Sequence, residues 1–147
     1  MFLFSTKSYY ALKALMEMCR LSGGGNLVSL AEISARQNIP LKYLEQIMLN
    51  LKRAGFVESQ RGVAGGFRLR RSAEEISVGQ VVRALENYEE GREMNAEGPS
   101  IDDQVLSAII EQAREAAVRV LDRETLHTLL QKAEERQRSN EAINYFI

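Results

Sequence analysis

The feature that most constrains the fold is a punctuation mark, Asn38-Ile39-Pro40, set between two short helical patterns and followed by a glycine-rich turn. Upstream, Ser29-Leu30-Ala31-Glu32 reads as a capping box, in which a serine hydroxyl accepts the N–H three residues on and the acidic side chain reaches back. It opens a short helix through Ile33 to about Gln37. Pro40 suits the first turn of a new helix, where its missing N–H costs nothing. Leu41, Leu44, Met48 and Leu51 recur at helical intervals and are predicted to face inward. Lys42, Tyr43, Glu45, Gln46 and Asn50 fall largely on the opposite side. This helix runs to about Ala54, and Gly55 stands where a helix-ending residue belongs.

The flanking segments fill in around that pair. Ser5 or Thr6 can cap a first helix with Tyr9, Leu12, Leu15, Met16 and Cys19 on its apolar face, ended by Ser22-Gly23-Gly24-Gly25-Asn26. Those glycines lack the Lys-Ser/Thr pair of a phosphate-binding loop. Phe56–Gln60 reads as a strand, 61–66 as a turn, and Phe67-Arg68-Leu69-Arg70 alternates apolar and basic as a half-buried strand does. The two make a hairpin with Arg61 at its tip. Ser77 can cap a helix carrying Val78, Val81, Val82 and Leu85. From Asn87 to about Ser100 the pattern fails, as in a loop. Ser100 then caps a long helix to about Val120 with a stripe of Ile101, Val105, Ile109, Ala113, Ala116 and Val120, widened by Leu106, Ile110 and Ala117. Asp122 is predicted to cap a short final helix with Leu126, Leu129 and Leu130, and the tail from Ala142 to Ile147 is apolar enough to dock.

Composition closes off several chemistries. Among 147 residues there is one cysteine and one histidine, which excludes an internal disulfide, a cysteine-rich zinc site and a histidine-based metal centre. No convergent nucleophile, base and stabiliser can be assembled, so the chain is read as no enzyme, and His127 as a surface or dimer-edge imidazole. Cys19, on an apolar face, is read as a buried, inert thiol rather than a redox switch. No apolar run approaches a membrane span, and the N-terminus has no basic region of a signal peptide. The expectation is a cytoplasmic protein that meets no membrane.

Charge is polarised. The net charge is −1, yet residues 1–72 carry +7 and residues 73–147 carry −8. Lys52, Arg53, Arg61, Arg68, Arg70 and Arg71 cluster against Glu58 alone. Such asymmetry suggests that the first half meets a polyanion, although a solvated basic face would give the same count.

Helix, short helix, tight break, helix and hairpin is the order of a winged helix-turn-helix, in which the helix after the break enters the DNA major groove. The expected fold is mainly α with a small β-hairpin: a winged helix-turn-helix domain over 1–86, a linker loop over 87–99, and a long dimerisation helix with the C-terminal region over 100–147. Lys42, Tyr43, Glu45, Gln46 and Asn50 are the candidate base and backbone readers. Glu45 fits if it accepts from a cytosine amino group; otherwise it is a surface charge paired with Lys42 or Arg53. Arg61, with Gly65 and Gly66 letting the backbone come close, is the candidate wing reader; the alternative is a plain turn with a solvated arginine. The long helix needs a partner surface, and Ile101, Val105, Leu106, Ile109, Ile110, Ala113 and Ala117 are the candidate homodimer seam.

At this point the residues resemble a known family. Ser5-Thr6-Lys7 followed by Tyr9-Tyr10-Ala11-Leu12, then Tyr43-Leu44-Glu45-Gln46-Ile47, Arg61-Gly62-Val63-Ala64-Gly65-Gly66-Phe67-Arg68-Leu69 and Ile76-Ser77-Val78-Gly79 are similar to the Rrf2 family of bacterial transcription regulators, closely over 1–88 and more loosely through Val120–Leu126. The resemblance implies a homodimeric, sequence-specific DNA-binding regulator, a repressor on a near-palindromic operator, reading bases with the helix of Lys42, Tyr43, Glu45 and Gln46 and the wing of Arg61. Cluster-binding members, IscR-like or NsrR-like, carry three cysteines in the loop before the long helix. Here that loop has none, so an iron–sulfur cofactor is not expected. The aromatic end Asn144-Tyr145-Phe146-Ile147 resembles the cluster-free, CymR-like branch. That branch implies control of cysteine and sulfur metabolism, with O-acetylserine sulfhydrylase as a partner. The competing expectations are an interaction module whose main role is binding a metabolic enzyme, and a redox- or iron–sulfur-responsive regulator. An enzyme-binding adaptor would have no need of the cationic 52–71 segment.

Overall fold

The computed structural model describes residues 4–22, 25–86 and 100–146. In chain order these form α1 (Thr6–Ser22), α2 (Leu30–Gln37), α3 (Leu41–Arg53), β1 (Val57–Gln60), β2 (Gly66–Leu69), α4 (Val78–Glu86), α5 (Ile101–Arg123) and α6 (Leu126–Phe146). The predicted mainly helical fold with one small hairpin is therefore present. The predicted linker, 87–99, lies outside the described residues, as do Gly23 and Gly24 of the first turn.

Local signals placed most of the helix starts. Ser29 caps α2 by accepting the Glu32 N–H, and Ser100 with Asp103 forms a reciprocal box on α5. Ser77 and Gln80 do the same for α4, each side chain accepting the other's backbone N–H at 3.1 Å. Gly55 follows α3 with φ +82°, a conformation that strains any residue with a Cβ.

One core holds α1 to α4, the hairpin and the beginning of α6 together. Leu15, Met18, Ile33, Ile39, Leu44, Ile47, Met48, Leu51, Val57, Ile76, Leu85 and Leu126 are fully buried in it. The junction between α5 and α6 is anchored through the backbone: Val78 N–H donates to Glu124 O at 2.8 Å and Leu126 N–H to Ile76 O at 3.0 Å. Gly79 leaves room for Asp122, since a Cβ there would sit 1.9 Å from its carboxylate oxygen.

Four expectations need correction. Leu41, predicted inward, is 42% exposed; it sits in the first turn of α3, and Ile47 completes the buried stripe instead. On α1, Tyr9 is 53% exposed and Met16 and Cys19 are half-buried, while Ser8, Ala11, Ala14 and Met18 join Leu12 and Leu15 inside. That helix packs against α2, α3, α4, β2 and α6, and small residues allow such close approach where a tyrosine would not. Asp122 does not cap the last helix; it lies in the final turn of α5 and pairs with Arg83 at 2.9 Å. Thr125 caps α6, accepting the Thr128 N–H at 3.1 Å while Thr128 Oγ1 accepts its own N–H at 2.8 Å. Finally, α6 is a 21-residue helix rather than a short one. Its residues from Glu134 onward are exposed, so Tyr145 and Phe146 do not dock on their own chain.

Candidate nucleic-acid interface

The position of α3 is set by its buried side and by the turn that leads into it. Leu44, Ile47, Met48 and Leu51 are fully excluded from solvent, so the helix cannot rotate about its axis without exposing them. The α2–α3 turn is pinned from both ends. Asn38 adopts φ +53°, and Ser34 Oγ donates to Ile39 O at 2.6 Å. Lys13 Nζ on α1 donates to Gln37 O at 2.9 Å. The buried Glu17 carboxylate accepts from Gln37 and, at 3.0 Å, from Arg20.

What α3 presents outward is polar. Lys42, Glu45 and Gln46 are exposed, and Asn50 is half-buried. Among the described residues the Glu45 carboxylate makes no hydrogen bond or ion pair, so pairing with Lys42 or Arg53 is not realised. Tyr43 is half-buried, its ring edge-on to Tyr10 with centroids 5.7 Å apart. Leu49, 47% exposed, shares the outer face and was missed by a reading that sought polar side chains there. Its spacing, four residues after Glu45 and three after Gln46, was the available signal. Lys7, also missed, lines a cleft of about 400 Å³ with Asn50 and Arg53.

The hairpin is antiparallel in the register Val57↔Leu69, Glu58↔Arg68, Ser59↔Phe67, Gln60↔Gly66. Val28 bridges its outer edge, exchanging two backbone hydrogen bonds with Phe67 at 2.8 and 2.9 Å. The glycines at the tip have structural reasons of their own. A Cβ on Gly65 would lie 2.3 Å from Gln60 O, and one on Gly66 would lie 2.6 Å from Val28 O. Gly62 turns the chain with φ +123°, and Arg61, Gly62 and Val63 stand exposed.

The cations of 52–71 divide on inspection. Arg68 is paired across the hairpin with Glu58, Lys52 donates to Ser59 Oγ, and Arg71 lies over the Phe56 ring, 4.8 Å from its centroid. Arg53, Arg61 and Arg70 have no carboxylate partner among the described residues. An exposed polar helix face with free cations beside it suits a duplex groove and its phosphates.

At the other end, α5 has no buried residue. Ile101, Val105, Leu106, Ile109, Ile110 and Ala113 are exposed and Ala117 is half-buried, so the whole predicted seam faces away from its own core. Among the described residues, no helix is long and apolar enough to cross a membrane.

Comparison with known proteins gives these shapes a context. Residues 4–132 match the family model "Rrf2: Iron-dependent Transcriptional regulator". The chain is 51% identical over 83 residues to the HTH-type transcriptional regulator IscR of Cereibacter sphaeroides, an alignment covering 56% of this chain and 54% of the relative. The chain thus spans about half the length of that relative. Two solved structures are similar over most of both chains. Against T. potens IscR the TM-score is 0.75 with 35% identity, covering 91% and 90%. Against CymR, the global cysteine regulator of B. subtilis, it is 0.66 with 30% identity, covering 88% and 96%.

Proposed function

The chain belongs to the Rrf2 family of DNA-binding transcriptional regulators, a non-enzymatic role, and from that premise we propose that it is a homodimeric repressor reading a near-palindromic operator. The observation that carries this reading is the combination of an exposed polar face on α3 with Arg61, which has no carboxylate partner among the described residues, on an exposed wing. Lys42, Tyr43, Glu45, Gln46 and Asn50 act in the major groove, with Glu45 accepting from a cytosine amino group and Leu49 available to a thymine methyl. Arg61 enters the minor groove or meets its phosphates, and the Gly65–Gly66 backbone approaches the duplex beside it. Lys7 and Arg53, around their shared cleft, supply phosphate contacts that fix register. The exposed stripe of α5 pairs with its equivalent in a second copy, setting the distance between two half-sites.

Both likenesses among solved structures bear on the signal. The relatives named IscR and the family's printed description point to iron, but the donor set here does not fit an iron–sulfur cluster. The chain has one cysteine, on α1, and none between Asn87 and Ser100. We therefore place it with the cluster-free regulators, and the named cysteine regulator makes genes of sulfur metabolism the favoured targets. A second reading, binding to a metabolic enzyme such as O-acetylserine sulfhydrylase, is favoured by one observation: Tyr145 and Phe146, each 86% exposed, end α6 as an uncovered aromatic pair.

The test is selection of duplexes from a random pool, with sedimentation of the bound species. Two protein copies on an inverted repeat support the proposal. A monomer, or no enrichment over the starting pool, overturns it. In the same assay Arg61→Ala weakens binding at every salt concentration.

A further inference from the structure

We propose that the open cavity lined by Cys19 of α1, the end of β2 with the segment following it, and Leu130 of α6 is a binding site for a small organic anion, a carboxylate or a phosphate ester. The cavity measures about 630 Å³, within the range of small-molecule sites. Its wall carries Arg70, Arg71 and Ser72 in succession, faced by Leu69, Leu130 and Cys19. Two guanidinium groups, a hydroxyl and an apolar wall are the parts that recognise an anionic head on a carbon stem.

Several features favour an anion over a neutral or cationic guest. Neither arginine has a carboxylate partner among the described residues. Glu74, which also borders the cavity, faces His127, whose Nδ1 lies 3.5 Å from its carboxylate. Stacking of Arg71 on Phe56 at 4.8 Å holds the guanidinium in place before any ligand arrives, so little side-chain freedom is lost on binding. Burial, helped by the nearby Glu74 carboxylate and opposed by the charge of Arg20, pushes the Cys19 thiol up to about 11, so the thiol itself adds no negative charge at neutral pH.

The location gives the site a consequence. Arg70 and Arg71 continue directly from β2 of the wing, and Leu130 belongs to α6. An anion seated there touches both the end of the hairpin and the C-terminal helix, adding a ligand-dependent link to the His127 N–H bond to Ala73 O at 3.2 Å and the Glu74–His127 contact that already tie the segment after β2 to α6. Differential affinity for two arrangements of the hairpin would make it an effector of DNA binding. This goes beyond the DNA-reading role, and its test needs no DNA, so its failure leaves that role standing.

Cys19 is the only cysteine, so its alkylation reports on this cavity alone. The full-length protein is labelled with N-ethylmaleimide in the presence of succinate, glycerol 3-phosphate or glycerol, at ionic strength matched with sodium chloride. Saturable slowing, reaching about tenfold at a ligand concentration ten times Kd, by succinate or by glycerol 3-phosphate but not by glycerol, is the expected result. Which of the two protects distinguishes carboxylate from phosphate ester. Arg70→Gln, at an exposed position, abolishes the protection. Gly25→Phe, at a cavity-lining glycine with nothing within 4 Å of its Cβ position, takes up cavity space and weakens binding of the protecting anion by calorimetry. Labelling unaffected by every anion, or protection retained in Arg70→Gln, overturns the proposal.

Discussion

Glu86 gathers three donors on one carboxylate oxygen: the Ser5 N–H at 3.0 Å, the Ser8 hydroxyl at 2.5 Å and the Ser5 hydroxyl. Burial raises its pKa, but the serine hydrogen bonds outweigh that and hold it below the ordinary glutamate value. The folded-state pKa is depressed, so the contribution is complete above the unfolded pKa, about 4.3, and is lost as pH falls through the lower folded value. Glu86→Gln is therefore expected to destabilise by about 1–2 kcal/mol at neutral pH, and the gap from wild type should close in strong acid. Urea melts of both proteins at the two pH values check this; a gap independent of pH would mean that charge is irrelevant to the contact. A second residue-scale effect concerns Glu45, whose carboxylate has no partner among the described residues. Glu45→Ala should relax sequence choice more than it lowers affinity, costing about 1–3 kcal/mol of discrimination at one base pair. Identical selectivity profiles for the two proteins would remove this side chain from base reading.

At the scale of elements, α3 and the hairpin were both legible before the structure, for different reasons. The α3 face followed from helical spacing, and only Leu41 at its open end departed from it. The hairpin followed from alternation and from its glycines, but the role of those glycines did not. Gly66 is required by the Val28 carbonyl across a bridge between residues far apart in sequence, which no local pattern reports. Gly66→Ala should push β2 off Val28 and cost about 1–3 kcal/mol, the usual range for overpacking, read as a lower urea midpoint. An unchanged midpoint would show that the Val28 segment yields freely. The face of α1 was misjudged because hydrophobicity ranks tyrosine above alanine, whereas a helix touching five other elements needs small residues at its contacts.

For the whole molecule, the two charge halves correspond to two surfaces. Cations without a carboxylate partner among the described residues lie around α3 and the wing, and the uncovered apolar stripe lies on α5. Ile109 is 59% exposed in the single chain, so replacing it leaves the fold intact while testing the seam. Ile109→Asp would bury a carboxylate at a two-fold interface, and the dimer dissociation constant should rise about 100-fold or more. Sedimentation equilibrium is the measurement; a variant as dimeric as wild type would place the interface elsewhere.

The amino-acid sequence determined the order and type of the elements, the caps of α2, α4 and α5 and the polarity of charge, because each is encoded by neighbours within a few residues. Capping serines, the Asn38–Pro40 break and a 3.6-residue period need no distant partner to be read. Tertiary structure alone decided which carboxylates are paired, why Gly66 and Gly79 cannot carry a side chain, and that Asp122 meets Arg83 rather than a helix start. Those outcomes depend on segments brought together across tens of residues, where the distance of closest approach, not composition, sets the energy. The cavity beside Arg70 and Arg71 belongs to the same class: its residues come from α1, the segment after β2 and α6, and only the fold assembles them.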